Sequence, residues 1–287
     1  MNKRLGLFDI VNTTFLAIIS ICTLLPFLIV LGVSFSKESS IAHYGYRILP
    51  KEFSLDAYKA ILTNGSTIFD AYKVTTFVTI VGTIIAVMIT CLMGYALSRK
   101  NLKYRNVINI FVYIPMVFFG GIVPFFIVLV KLKFTDNIWG LIIPMIFNPF
   151  NLFLILNFFR GLPDEIMEAA KIDGAGEFRT FWSIAMKLAL PGIATITLFY
   201  ALAFWNDWTL ALYLISDTTL YPLQFLLRQI MSRATFIASA SMHVTGDIPA
   251  ESAKMATVIL TIGPIVILYP FIQKYFVKGI TIGAVKG

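Results

Sequence analysis

The sequence predicts an all-α membrane protein with six transmembrane helices and both termini in the cytoplasm. Three observations carry that reading. Of 287 residues, 58% are hydrophobic and 13% are charged, about half the charged share of a soluble domain. The mean hydropathy of +0.84 implies more apolar surface than a soluble core of this length buries. Six stretches without Asp, Glu, Lys or Arg, holding 27, 25, 25, 23, 19 and 19 residues, match the roughly 20 residues that cross a bilayer as a helix. The same composition excludes disorder. Barrel strands alternate polar and apolar residues over about ten positions, and these stretches are apolar on every face.

The first stretch, residues 10–36, follows Lys3 and Arg4. It is too long for the apolar core of a signal peptide and no small-residue cleavage site ends it, so it reads as a retained span. In the outer loop that follows, 37–73, Pro50 and Phe53 to Tyr58 read as a short helix on the outer face. The second span is 74–98. The next loop carries Arg99, Lys100, Lys103 and Arg105 within 99–105, which places it in the cytoplasm by the bias of basic residues towards that side. Spans three and four, 106–130 and 137–159, are interrupted by Pro115, Gly120, Gly121, Pro124, Pro144 and Pro149. Such breaks suit a substrate path or ordinary kinked packing equally. Spans five and six are 188–206 and 255–273.

Six spans counted from that cytoplasmic loop put both termini inside, with Lys3, Arg4, Lys274, Lys278 and Lys286. The balance is 13 basic residues inside and 10 outside, a modest margin because the outer loops 37–73 and 217–254 are long and count weakly. The net charge of +8 therefore reports topology rather than nucleic acid. Trp139, Trp205 and Trp208 fall at outer span ends and read as interfacial anchors. Cys22 and Cys91 lie inside apolar runs, so neither serves a disulfide or a metal site.

The most informative stretch is the cytoplasmic loop between spans four and five. Pro163 suits a first helical position, and Asp164 and Glu165 favour the positive end of a helix. Ile166, Ala169, Ala170 and Asp173 recur at helical spacing. Gly174 and Gly176 end that helix, and Phe178, Phe181, Trp182, Ala185 and Leu188 form one side of a second. The prediction is a helix, a sharp turn and another helix projecting into the cytoplasm.

Glu168-Ala169-Ala170, then Asp173-Gly174-Ala175, then Phe181, Ile184 and Pro191 resemble the EAA loop of binding-protein-dependent ABC importer permeases. The resemblance continues at Tyr269-Pro270-Phe271, Gln273 to Phe276 and Gly283 to Gly287, which are similar to carbohydrate-uptake permeases of the maltose-importer type. Within that group the chain is most similar to the MalG-like second permease, and to its LplC or YtcP branch. The similarity covers residues 10–287. It implies a type I importer permease fold: an N-terminal segment over 1–73, a permease core over 74–273 with its coupling loop at 160–187, and a cytoplasmic tail over 274–287. It further implies that Glu168, Ala169, Ala170, Asp173, Gly174 and Ala175 couple the chain to an ATPase dimer. A second, MalF-like permease, an extracytoplasmic sugar-binding protein and membrane lipid complete the implied partners, and the implied cargo is a sugar, an oligosaccharide from a complex polysaccharide. One departure is Lys187, where many relatives have proline; it leaves room for a longer second loop helix.

Two other function classes fare worse. An ion-coupled secondary transporter is the alternative reading, but it ordinarily places ionisable residues inside its spans, and only Asp207 lies close to one. An enzyme requires a nucleophile, base or metal constellation, whereas His43 and His243 both fall in outer loops at no zinc-binding spacing. No phosphate-binding glycine loop is present, so any ATP hydrolysis belongs to another polypeptide. No cofactor is expected. For the substrate path the candidates are Trp205, Asn206 and Asp207, because an indole stacks on a sugar face while an amide and a carboxylate bond its hydroxyls. Belt anchoring by the indoles and helix capping by Asp207 are the competing readings.

Overall fold

The computed structural model describes residues 7–62, 65–240 and 251–263. Lys3, Arg4, His243, the end of the sixth span and the tail 274–287 lie outside them. The described residues form helices, with one isolated bridge between Ser36 and Phe53. They fall into two compact units, one running up to Ser66 and resuming at Leu227, the other spanning Thr67–Leu226.

In the first unit, α1 (Leu7–Ser34) runs unbroken through Pro26; its apolar side chains from Ile10 to Leu28 are exposed on all faces, as a lipid-bathed helix requires, while Val33 in its last turn is buried. Beyond it, α2 (Glu38–Tyr44) and α3 (Asp56–Leu62) lie in the outer loop. The sequence pattern anticipated a helix near Tyr58 and missed α2, which is seven residues long. Phe35 stacks between Phe53 and Tyr58, with centroids at 5.5 and 5.0 Å, and this closes the loop on the end of α1. Gly32 is obligatory there, because a Cβ would collide with the Arg47 and Ile48 carbonyls. The Glu38 carboxylate accepts the Glu251 and Ser252 N–H groups at 2.9 and 3.1 Å. It thereby caps a helix over 251–263, the start of the sixth span.

The second unit opens on α4 (Gly65–Ser98). Thirty-four residues reach about 50 Å, against about 30 Å of hydrocarbon. Its first turns, with Asp70 and Lys73, therefore precede the charge-free stretch that marked this span. Span three is two helices, α5 (Arg105–Val117) and α6 (Ile122–Lys131), bent by 116° across residues 118–121. Span four enters through 3-10 turns at Ile138–Leu141 and Ile143–Met145, then bends by 50° into α7 (Pro149–Arg160). Both breaks fall at the expected glycines and prolines. The cytoplasmic loop holds α8 (Asp164–Ile172) and α9 (Glu177–Leu188), the latter with a π turn over Phe181–Ala185. An 82° bend leads into α10 (Leu190–Asn206), the fifth span. Then comes α11 (Thr209–Leu214). After it, α12 (Leu223–Ala240) is an 18-residue helix inside what the sequence presented as an outer loop, and from Leu227 on it belongs to the first unit.

The core of this unit joins α4, α7, α9, α10 and α11 through Ala86, Ile155, Ala185, Ile196 and Ala211, all fully buried. Lipid tails give helices no hydrophobic reason to associate, so close packing must do it. Gly82 lies under the Phe204 ring and Gly192 under the Phe158 ring, where added Cβ atoms would stand 2.6 and 2.5 Å away. Trp205 is buried and Trp208 packs on the core, while Trp139 is exposed. The first two are packing residues rather than the interfacial anchors expected of them.

Candidate functional site

The cytoplasmic loop folds as a helix, a turn and a helix. Pro163 stands just before α8, in extended conformation, and Asp164 and Glu165 open the helix. Gly174 has φ +76°, a left-handed geometry that glycine adopts without steric cost. The Ala175 N–H reaches back to the Ala170 carbonyl at 2.9 Å, which ends α8. Of the expected coupling residues, Glu168, Ala169 and Asp173 are exposed, Ala175 is half-buried, and Ala170 is buried beside Met167. Ala170 thus seats the helix rather than presenting a surface.

The outward face is more apolar than the motif alone suggests. Ile172 is 85% exposed and Phe178 73% exposed, one on either side of the turn. Of the five residues expected on one side of α9, Phe181 and Ala185 are fully buried while Phe178, Trp182 and Leu188 are exposed; the Trp182 ring packs on Phe178 and Phe181 with centroids at 6.2 and 5.2 Å. Lys187 lies exposed in an unbroken helix that continues to Leu188.

The basic loop 99–105 meets this loop directly. Lys100 Nζ bonds Asp164 at 2.7 Å, Arg99 Nη2 bonds Glu177 at 3.3 Å, and Lys171 Nζ lies 3.7 Å from Glu177. The hydrogen bond to Lys100 holds Asp164 below the usual carboxylate range. Burial pushes Glu177 upward, but the Tyr95 hydroxyl, Arg99 and Lys171 together outweigh it and leave its carboxyl lowered. A cavity of about 510 Å³ opens between the two loops, lined by Arg99, Arg105, Arg160, Asp164, Glu168 and Glu177 among others. In the sequence these basic residues signalled only sidedness; their match to Asp164 and Glu177 across the fold was the overlooked signal.

Within the spans, a second cavity of about 460 Å³ is lined by Asn148, Phe150, Asn151, Phe199, Tyr200 and Ala203. Tyr200 is its anchor: its hydroxyl lies 2.7 Å from Thr90 Oγ1 and accepts the Asn148 N–H at 3.0 Å. Counting charges alone passed over these amides. Phe199, Ala203 and Asn206 fall on one face of α10 at helical spacing. Asn206 donates to the Leu202 carbonyl at 2.8 Å and accepts from Gln224 at 3.2 Å. Asp207 caps α11, accepting the Thr209 and Leu210 N–H groups at 3.3 and 3.2 Å. The capping alternative for Asp207 is therefore the arrangement found. Among the described residues no cluster of His, Cys, Asp or Glu has metal-binding geometry.

Comparison with known proteins gives a single answer. Residues 82–282 match the family described as binding-protein-dependent transport system inner membrane component. Protein LplC of Bacillus subtilis is 41% identical over 100% of this chain and 97% of its own length. The polygalacturonan/rhamnogalacturonan transport system permease protein YtcP of Bacillus subtilis is 38% identical, covering 98% of this chain and 99% of that protein. A similar chain in the crystal structure of a bacterial ABC transporter that imports the acidic polysaccharide alginate superposes with a TM-score of 0.82. It is 30% identical, over 94% of this chain and 96% of that one.

Proposed function

The chain belongs to the family of binding-protein-dependent transport system inner membrane components, and from that premise we propose what its loop and its cavity do. It is a membrane-embedded permease subunit of an ABC importer with the type I fold, a transport subunit rather than an enzyme. Such a subunit works with a separate ATPase and a solute-binding protein. The finer reading is that α8, the Gly174 turn and the start of α9 dock on the ATPase. Ile172 and Phe178 carry this: two large apolar side chains stand in water on either side of a tight turn, an arrangement that marks a contact surface. Glu168, Ala169 and Asp173 would share that contact, while Ala170, Gly174 and Ala175 hold its shape. A second, homologous permease would enclose the other half of the pathway.

The proposed cargo is an oligosaccharide derived from a complex polysaccharide, as the names of the YtcP protein and the alginate importer suggest. Its path would follow the cavity under Tyr200, where aromatic rings and amides stand together, and continue outward along α10 past Asn206. Asp207 and Trp205 would keep Asn206 in place.

Glu168→Lys and Ile172→Asp test the docking reading. Both chains should reach the membrane in normal amounts, while ATPase co-purification and uptake fall about ten-fold or more, the weight of one interfacial anchor of about 1.4 kcal/mol. Normal uptake in both variants would remove the docking role.

A further inference from the structure

Glu177 stands where three elements meet. Its Oε2 accepts the Tyr95 hydroxyl at 2.8 Å, at the end of α4. Its Oε1 accepts Arg99 Nη2 at 3.3 Å and lies 3.7 Å from Lys171 Nζ, in the last turn of α8. Glu177 itself opens α9. Tyr95 is buried, with ring centroids 5.8 Å from Phe159 of α7 and 5.2 Å from Phe181 of α9, and the Arg99 guanidinium lies over its ring at 5.2 Å. One carboxylate thus ties both loop helices to the end of the second span, above an aromatic cluster that joins the fourth. Glu177 and Lys171 are themselves about half-exposed, and exposed ion pairs such as these and Lys100–Asp164 hold little, so the bond to the buried Tyr95 is what gives the junction its firmness.

We propose that Glu177 is a positioning residue that carries movement of the coupling loop into the second span, by fixing α8 and α9 to Tyr95 and Arg99. The proposal rests on the reading that the loop docks on the ATPase. Close-packed side chains shift as blocks rather than deform, so a push on α8 reaches α4 only as firmly as the two are joined. Backbone continuity alone joins them through more than sixty residues.

The test uses the complete transporter in lipid vesicles, with spin labels on cysteines at Glu165 of α8 and Leu92 of α4. The distance between them is measured without nucleotide and with ATP plus vanadate. With Glu177 intact the distribution stays equally narrow in both states. In Glu177→Ala the trapped state broadens relative to the nucleotide-free state, while chain abundance persists. Tyr95→Phe, which keeps the ring and loses only the hydroxyl, shows part of that broadening. Glu177→Gln, which retains an acceptor for the hydroxyl, shows less than Glu177→Ala. An unchanged distribution in Glu177→Ala overturns the proposal, as does equal broadening with Glu177 intact. A cysteine at Ala169 is cross-linked to the ATPase in parallel. Failure of that link with Glu177 intact sinks the docking reading instead, so the two failures are told apart.

Discussion

At the scale of single residues, one buried hydroxyl adds a polar link between closely packed spans. In hydrocarbon no water satisfies a freed donor. The link is made by Tyr200, whose hydroxyl serves Thr90 of α4 and the Asn148 N–H before α7 while its ring sits on α10. Tyr200→Phe leaves both groups without that partner. Removing one member of a buried pair costs about 1–3 kcal/mol, and measured interhelical bonds in membranes lie near the lower end of that range. We expect a loss of about 1 kcal/mol, read as a lower midpoint in detergent-induced unfolding. Thr90→Val added to Tyr200→Phe should cost little more, because the hydroxyl it deletes is already unmatched. A double variant that loses the full sum of the two single effects would disprove this shared node. Tyr200 was not legible in the sequence as a site, because one tyrosine among 12 carries no mark until the fold brings Asn148 and Thr90 to it.

At the scale of elements, close approach between helices sets the tolerances. A Cβ at Gly192 would meet the inner atoms of the Phe158 ring, Cγ and Cδ2, at 2.5 Å, whereas at Gly82 it would meet the Phe204 ring edge, with Cζ nearest at 2.6 Å. Atoms close to Cβ shift less for a given side-chain rotation than the far edge of the ring does, so Phe158 gives way less readily than Phe204. Gly192→Ala should therefore cost more than Gly82→Ala, within the roughly 1–3 kcal/mol of overpacking, and Phe158→Leu should recover part of the loss. Equal costs at both glycines would show that α7 and α10 separate freely. Element by element, the sequence was most legible where length and lack of charge coincide: α1, most of α4, and α10. The glycines and prolines marked where spans three and four break, because each lacks either a side chain or an N–H. Periodicity did not reveal α12, since Arg228 and Arg233 interrupt its apolar positions. The π turn of α9 has no sequence signature of its own, so which of its aromatic residues are buried was not legible. The order of helix, turn at Gly174 and second helix was.

At the scale of the whole molecule, the structure supplies a second argument for sidedness. Basic-residue counting gave a narrow margin, and it rested partly on Lys3, Arg4 and the tail. Within the second unit, loop 99–105 is tied to the loop of α8 and α9 by Lys100–Asp164 and Arg99–Glu177, so the two share one side of the membrane. From Ala189, α10 rises 17 residues, about 25 Å at 1.5 Å per residue, and the chain then reaches Ser216 and Asp217. There Asp136 Oδ1 accepts the Ser216 and Asp217 N–H groups at 2.6 and 2.9 Å, so the turn after span three lies at that opposite end. Asp136 has φ +47°, and those two bonds hold its carboxyl below the usual range. A serine background replaces Cys22, exposed within α1, and Cys91, buried in α4. Single cysteines at Thr135 and Thr218 should then react with a membrane-impermeant thiol reagent on intact cells. Cysteines at Asn101 and Lys187, both exposed, should react only after the cells are opened. Labelling of Asn101 and Lys187 from opposite sides would break the link between the two loops. Labelling of both on intact cells would invert the topology and with it the placement of the ATPase.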